Sequence, residues 1–167
     1  MNQRSSDPDG SRRLVAVLSN PPSETDGSRT LSRVQQASAA LGTSTIDVVN
    51  LFSLPTYRSD EISRAGVAPE SWLSARPTIA KAIERADAVL LAYGISEPTG
   101  IARDLHREQV RWLTDLLRES GLPVYVVGDG PRHPTRWQRY TTRHFQHLSF
   151  GDALRQALVA VSRPPAT

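Results

Sequence analysis

The sequence predicts a single α/β domain of three layers, helices packed on both faces of a short, mostly parallel four-stranded sheet. Three observations carry this. Four short apolar runs recur along 167 residues, segments with helical periodicity separate them, and glycines or prolines punctuate the joins. A chain of this length forms one domain with a real core. Hydrophobic residues at 38% and charged residues at 22% are ordinary for a globular protein.

The elements follow in order. Residues 1–12, rich in Ser, Asp and Arg, offer nothing to bury and are expected to form a disordered arm. The ordered domain is expected over 13–162, with a loose tail at 163–167. LVAVLS at 14–19 is a continuous apolar run, as a strand buried on both faces should be. Residues 30–41 place Leu31, Val34, Ala37 and Leu41 at helical spacing, and Gly42 ends the helix. TIDVVNLF at 45–52 is the second strand. A long irregular connection follows, through about residue 72. RPTIAKAIERA at 76–86 is a short helix with Pro77 in its first turn.

DAVLLAYG at 87–94 is the third strand. The longest helix spans 100–121, with an apolar stripe through Leu105, Val110, Leu113, Leu116 and Leu117. LPVYVVG at 122–128 is the fourth strand. A last helix is expected in HLSFGDALRQALVAV, with Ser149 as its N-cap.

Open parallel sheets bind ligands at the carboxyl ends of their strands. Four polar loops leave those ends: SNPPSETDG, NLFSLPTYRSD, YGISEPTG and GDGPRHPTRW. The site is expected where they meet.

The chain contains no cysteine, which excludes disulfides and thiolate metal sites. No phosphate-loop or dinucleotide motif occurs, and the histidines show no metal-ligand spacing. No cofactor is therefore expected. No apolar run reaches the length of a membrane span, and the first residues carry no apolar leader, so a cytoplasmic location without membrane contact is expected. Of 20 basic residues only Lys81 is a lysine. That bias discounts overall basicity as a sign of nucleic-acid binding. Placement says more: from Gly128 to His147, Arg132, Arg136, Arg139 and Arg143 face one acid, Asp129.

Individual residues carry two readings each. His133 is either a proton-exchanging or hydrogen-bond-donating group or a tie to a neighbouring loop. Arg132 either forks onto a phosphate or carboxylate or pairs with Asp129 or Asp26. Asp129 is a general base or, more simply, a turn cap. Asn20 and Ser23 leave the first strand. Asn20 either holds a water or a base edge or shapes the turn before Pro21. Thr30 reads first as a helix N-cap, with Arg33 one turn on, near N–H groups able to hold an anion. Asn50 is expected chiefly to tie loops together. In RHPTRWQRYTTRHFQH, arginines at spacings of 3 and 4 alternate with Trp137, Tyr140 and Phe145. The rings either stack bases or pack on the core.

SNPPSETDGSRTLSR, VVNLF, LLAYG and GDGPRHP, in that order, resemble the family called domain of unknown function 1643. The likeness covers about residues 14–140. It implies polar positions of interest at Asn20, Thr30, Arg33, Asn50, Gly94, Arg132 and His133. Pro22 departs from the family's usual serine, Tyr93 from its tryptophan, and Ser28 and Arg29 from an acidic pair. The family itself implies no activity. A second resemblance is architectural. The uracil-DNA glycosylase superfamily also ends one strand in an Asn-Pro type of loop and a late strand in a His-Pro loop, where Asn20-Pro21 and His133-Pro134 fall here.

These readings lead to an expected enzyme that acts on a nucleotide or nucleic acid and cleaves an N-glycosidic bond. Asn20, His133 and Asp129 would be catalytic. Ser23, Thr30, Arg33, Asn50, Tyr93, Gly94, Arg132, Arg136 and Trp137 would bind substrate. Two rivals stand beside it: a nucleotide or single-strand binding module without chemistry, and an enzyme acting on a small phosphorylated or carboxylated metabolite.

Overall fold

The computed structural model describes residues 9–22, 27–56 and 59–161. The tail expected at 163–167 and all but the last residues of the N-terminal arm lie outside them. Strands β1 (Arg13–Leu18), β2 (Thr45–Asn50), β3 (Ala88–Leu91), β4 (Val124–Val127) and β5 (Leu158–Ala160) form one sheet in the order β2-β1-β3-β4-β5. The first four are parallel, and β5 runs antiparallel to β4.

β1 is central, and its alternation builds both cores. Val15 and Val17 face α4 (Arg76–Glu84) and α5 (Ile101–Ser120), packing with Ile79, Ile83, Leu113 and Leu117. Leu14, Ala16 and Leu18 face α1 (Ser28–Ala40) and α7 (Phe150–Ala157), packing with Val34, Ala37 and Leu154. Burying each such Leu or Val stabilises the fold by about 1.5–3 kcal/mol. The three-layer arrangement is thus the one expected from the apolar runs.

Four expectations need correction. The sheet has a fifth strand. The expected last helix breaks at Leu158, whose backbone is extended at φ −70° and ψ 117°, and Val161 N–H then donates to the Val124 carbonyl at 2.8 Å. The long connection is not irregular throughout: it holds α2 (Ser59–Ala65) and α3 (Glu70–Leu73). Thr30 is not the N-cap of α1. Gly27 is, with φ 68°, and Thr30 lies in the first turn. The buried residues of α5 are Ala102, Gln109, Leu113 and Leu117, so the stripe passes through a glutamine. Ser149 does cap α7, its hydroxyl accepting from Asp152 N–H at 3.2 Å.

From β1 the chain crosses through α1 to β2 on one side, then returns to β3 on the other. The loops after β1 and β3 therefore diverge at their carboxyl ends and leave a crevice between them.

Candidate functional site

That crevice is a cavity of about 1010 Å³. It lies at the upper end of small-molecule sites. All four carboxyl-end loops line it, through Asn20, Asn50, Tyr93 and His133 among others. The first turn of α1 adds Thr30. The 3-10 turn Pro134–Arg136 and α6 (Trp137–His144) add Arg136, Arg139 and Arg143.

Asn20 bridges two of these loops. Its Nδ2 donates to the Pro21 carbonyl at 3.1 Å and to the Thr56 carbonyl at 2.9 Å. Both amide hydrogens are consumed, which fixes the orientation of the group. Its Oδ1 is left to accept from a ligand or water. Asn50, at the end of β2, makes no side-chain hydrogen bond with another described residue, so the expected loop tie falls to Asn20. Gly94, at φ 94°, donates its N–H to the Pro131 carbonyl at 2.6 Å and links the third and fourth loops. Tyr93 lines the cavity beside it, and burial pushes its phenol above the usual range.

His133 is held by its own turn. Its Nδ1 accepts from Thr135 N–H at 3.3 Å and lies 2.9 Å from Thr135 Oγ1. A backbone N–H only donates, so Nδ1 carries the lone pair and the neutral ring carries its proton on Nε2. Burial, and then the charge of Arg136, push His133 below the ordinary histidine range. The ring is therefore neutral at pH 7 and a donor through Nε2.

Arg132 lines the cavity with its guanidinium 4.7 Å above the Tyr140 ring. Its Nη2 donates to Asp129 Oδ1 at 2.8 Å, and its buried Nε has no partner. The tyrosine fits because residue 128 is glycine. A Cβ there, at φ 78°, would fall 2.5 Å from Tyr140 Cζ.

Three expected site residues do not belong. Asp129 is exposed and off the cavity wall, and its hydrogen bond to Arg132 holds its carboxyl below the usual range. It orients Arg132 and is not placed as a base. Trp137 is fully buried, packs in the core, and donates Nε1–H to the Arg132 carbonyl at 2.8 Å, so no base can stack on it. Arg33 points away from the cavity: it donates to Gln138 Oε1 at 2.7 Å and stacks on Phe150 at 4.5 Å. Ser23 lies outside the described residues.

Other residues of the wall were missed. His106 and Trp72 line the cavity, their rings edge-to-face with centroids 5.7 Å apart, and the Tyr93 ring lies 6.2 Å from His106. Burial lowers the His106 pKa, and its Nδ1 has no partner. Behind them, fully buried Gln109 donates to the carbonyls of Leu51 at 2.9 Å and Trp72 at 2.8 Å, and accepts from Arg76 Nε at 2.9 Å. A histidine and a glutamine three residues apart on the inward stripe of α5 were the available signal.

The wall carries one carboxylate among the described residues, Glu97. Arg107 grips it twice, at 2.9 and 2.8 Å, and holds it below the usual carboxylate range. Four arginines make the cavity electropositive. Among the described residues no cluster of His, Asp and Glu can hold a metal ion, and no helix is long and apolar enough to cross a membrane.

A family model described as Protein of unknown function (DUF1643) matches residues 3–135. The chain belongs to the DUF1643 family. No curated protein and no solved structure matches it. The DUF1643 match runs from before β1 to the turn that carries Arg132 and His133, and stops short of α6.

Proposed function

We propose that this DUF1643 protein binds a nucleotide in the cavity and cleaves its N-glycosidic bond. The supporting observation is that the Asn20 turn and the Arg132-His133 turn line one electropositive cavity. Tyr93 and His106, both partly exposed on the wall, offer ring edges and apolar surface to a base. Arg132 meets a phosphate, where a guanidinium makes paired hydrogen bonds.

In the reaction, water adds its oxygen to the sugar carbon as the carbon–nitrogen bond breaks. One proton of the water passes to solvent, and the departing base takes up a proton in its place. Asn20 Oδ1 accepts a hydrogen bond from the water and orients it. His133 Nε2–H donates to the base as negative charge grows there. One preset donor of this kind accounts for about 100- to 1000-fold in rate. The resemblance of the Asn20-Pro21 and His133-Pro134 loops to those of the uracil-DNA glycosylase superfamily supports this reading only by analogy of short motifs.

A binding module without chemistry is the second reading, favoured by the engagement of Glu97 with Arg107, which leaves no unpaired carboxylate on the described wall. Quantifying free base released from mixed-sequence oligonucleotides and from nucleoside 5′-monophosphates separates the two. The enzyme reading requires release that falls at least 100-fold in His133→Ala while melting temperature holds. Release unchanged by that substitution overturns the mechanism. Binding with no release at all leaves the binding module.

A further inference from the structure

We infer that Arg136, Arg139 and Arg143 form a track for successive phosphates of a single nucleic-acid strand whose one nucleotide occupies the cavity. The inference rests on the nucleotide reading above and deepens it by naming a strand as the ligand.

The three arginines stand at spacings of 3 and 4, which places them along one side of α6. All three border the cavity and are exposed. None has a carboxylate partner among the described residues. Some other exposed arginines do, Arg107 with Glu97, Arg118 with Asp115 and Arg155 with Asp152, while Arg12, Arg29 and Arg111 stand singly and away from the cavity.

Folding alone gives no reason for the row. Like charges at these spacings repel by about 0.2–0.5 kcal/mol per pair. The last turn of α6 favours Arg143, but Arg136 is the N-cap, where the helix dipole disfavours a cation. A polyanion lying along the helix reverses both penalties. From 136 to 143 the row spans about 10 Å at helical rise. The row begins beside His133 and lies past residue 135, where the DUF1643 match ends, so the family model does not itself imply it.

A free nucleoside triphosphate shares the chemistry, and the experiment separates it. A labelled mixed-sequence single-stranded decanucleotide is titrated by fluorescence anisotropy at several salt concentrations. Unlabelled 5′-monophosphates and 5′-triphosphates serve as competitors. The track predicts that the decanucleotide binds at least tenfold tighter than either competitor. Each phosphate contact adds about 0.7 to the salt slope of single-strand binding. The Arg139→Ala/Arg143→Ala double variant should therefore lose about 1.4 from that slope and at least tenfold in strand affinity, at an unchanged melting temperature. Triphosphates matching the strand, or an unchanged slope in the double variant, overturns the track. Monophosphate binding with no gain for the strand overturns the track and leaves the cavity reading intact. A strand bound on a steep slope with no competition from monophosphates shows phosphates held by the row with no nucleotide in the cavity, and overturns the cavity reading together with the inference that rests on it.

Discussion

Gln109 donates its side-chain amide to the Trp72 carbonyl oxygen at 2.8 Å, and its second amide hydrogen goes to Leu51 at 2.9 Å. One buried side chain thus fixes the residue after Asn50 and an aromatic residue of the cavity wall from behind. Gln109→Met keeps the volume but strands two carbonyls and the Arg76 Nε. The expected loss is about 3 kcal/mol. It should appear as a lower denaturation midpoint with an unchanged slope. A loss under about 0.5 kcal/mol would show that the wall does not depend on this residue.

Gly128→Ala should act at a distance on Arg132. The new methyl group meets Tyr140 at 2.5 Å, and the left-handed backbone adds about 1–2 kcal/mol of strain. Tyr140 must shift, and the ring under the Arg132 guanidinium shifts with it. Equilibrium unfolding should show a loss of 2 kcal/mol or more, and calorimetric titration with nucleotides at least a fivefold weaker affinity.

The tryptophans should report on the cavity unequally. Trp72 lines it, and Trp137 is sealed in the core. Nucleotide binding should quench fluorescence in wild type and in Trp137→Phe, and the quench should vanish in Trp72→Phe. Trp137→Phe should still cost about 2 kcal/mol, because the indole N–H that holds the Arg132 carbonyl is lost together with buried volume. A quench that disappears with Trp137 would place the ligand elsewhere.

Stability should fall on mild acidification. His106 and His133 both titrate below 6.5 in the folded chain because burial disfavours the charged ring. Below about pH 6.5 the unfolded chain takes up protons that the folded chain refuses, so unfolding is favoured as pH drops further. Above that value both states are neutral and the two rings contribute no slope. Asp129 and Glu97, whose pKa values are lowered, lose their stabilising pairs only in a more acidic range. Melting temperature should be flatter in pH from 7 to 5 in the His106→Asn/His133→Asn double variant than in wild type.

The sequence showed most of this architecture because its signals are local. Apolar runs marked the four parallel strands, and glycines marked where helices stop. Strand order then put Asn20 and His133 on one edge. β5 was hidden because LVAV continues the apolar face of α7, and only pairing with β4 decides its conformation. Asp129 sits in the right loop but off the cavity wall, and Trp137 opens α6 with its ring in the core. The close approach of Tyr140 to Gly128, a contact 12 residues apart, is likewise invisible in any local pattern. His106 and Gln109 were masked by a helix whose leucines also read as an inward stripe.

The proposed function requires the Asn20 turn and the His133 turn to grip one ligand from opposite loops. Amide and imidazole NMR during titration with a mixture of nucleoside 5′-monophosphates tests it most directly. The Asn20 Nδ2 and His133 Nε2 signals should shift together, with one common dissociation constant. Saturable binding that leaves both signals in place, or moves only one of them, would contradict it.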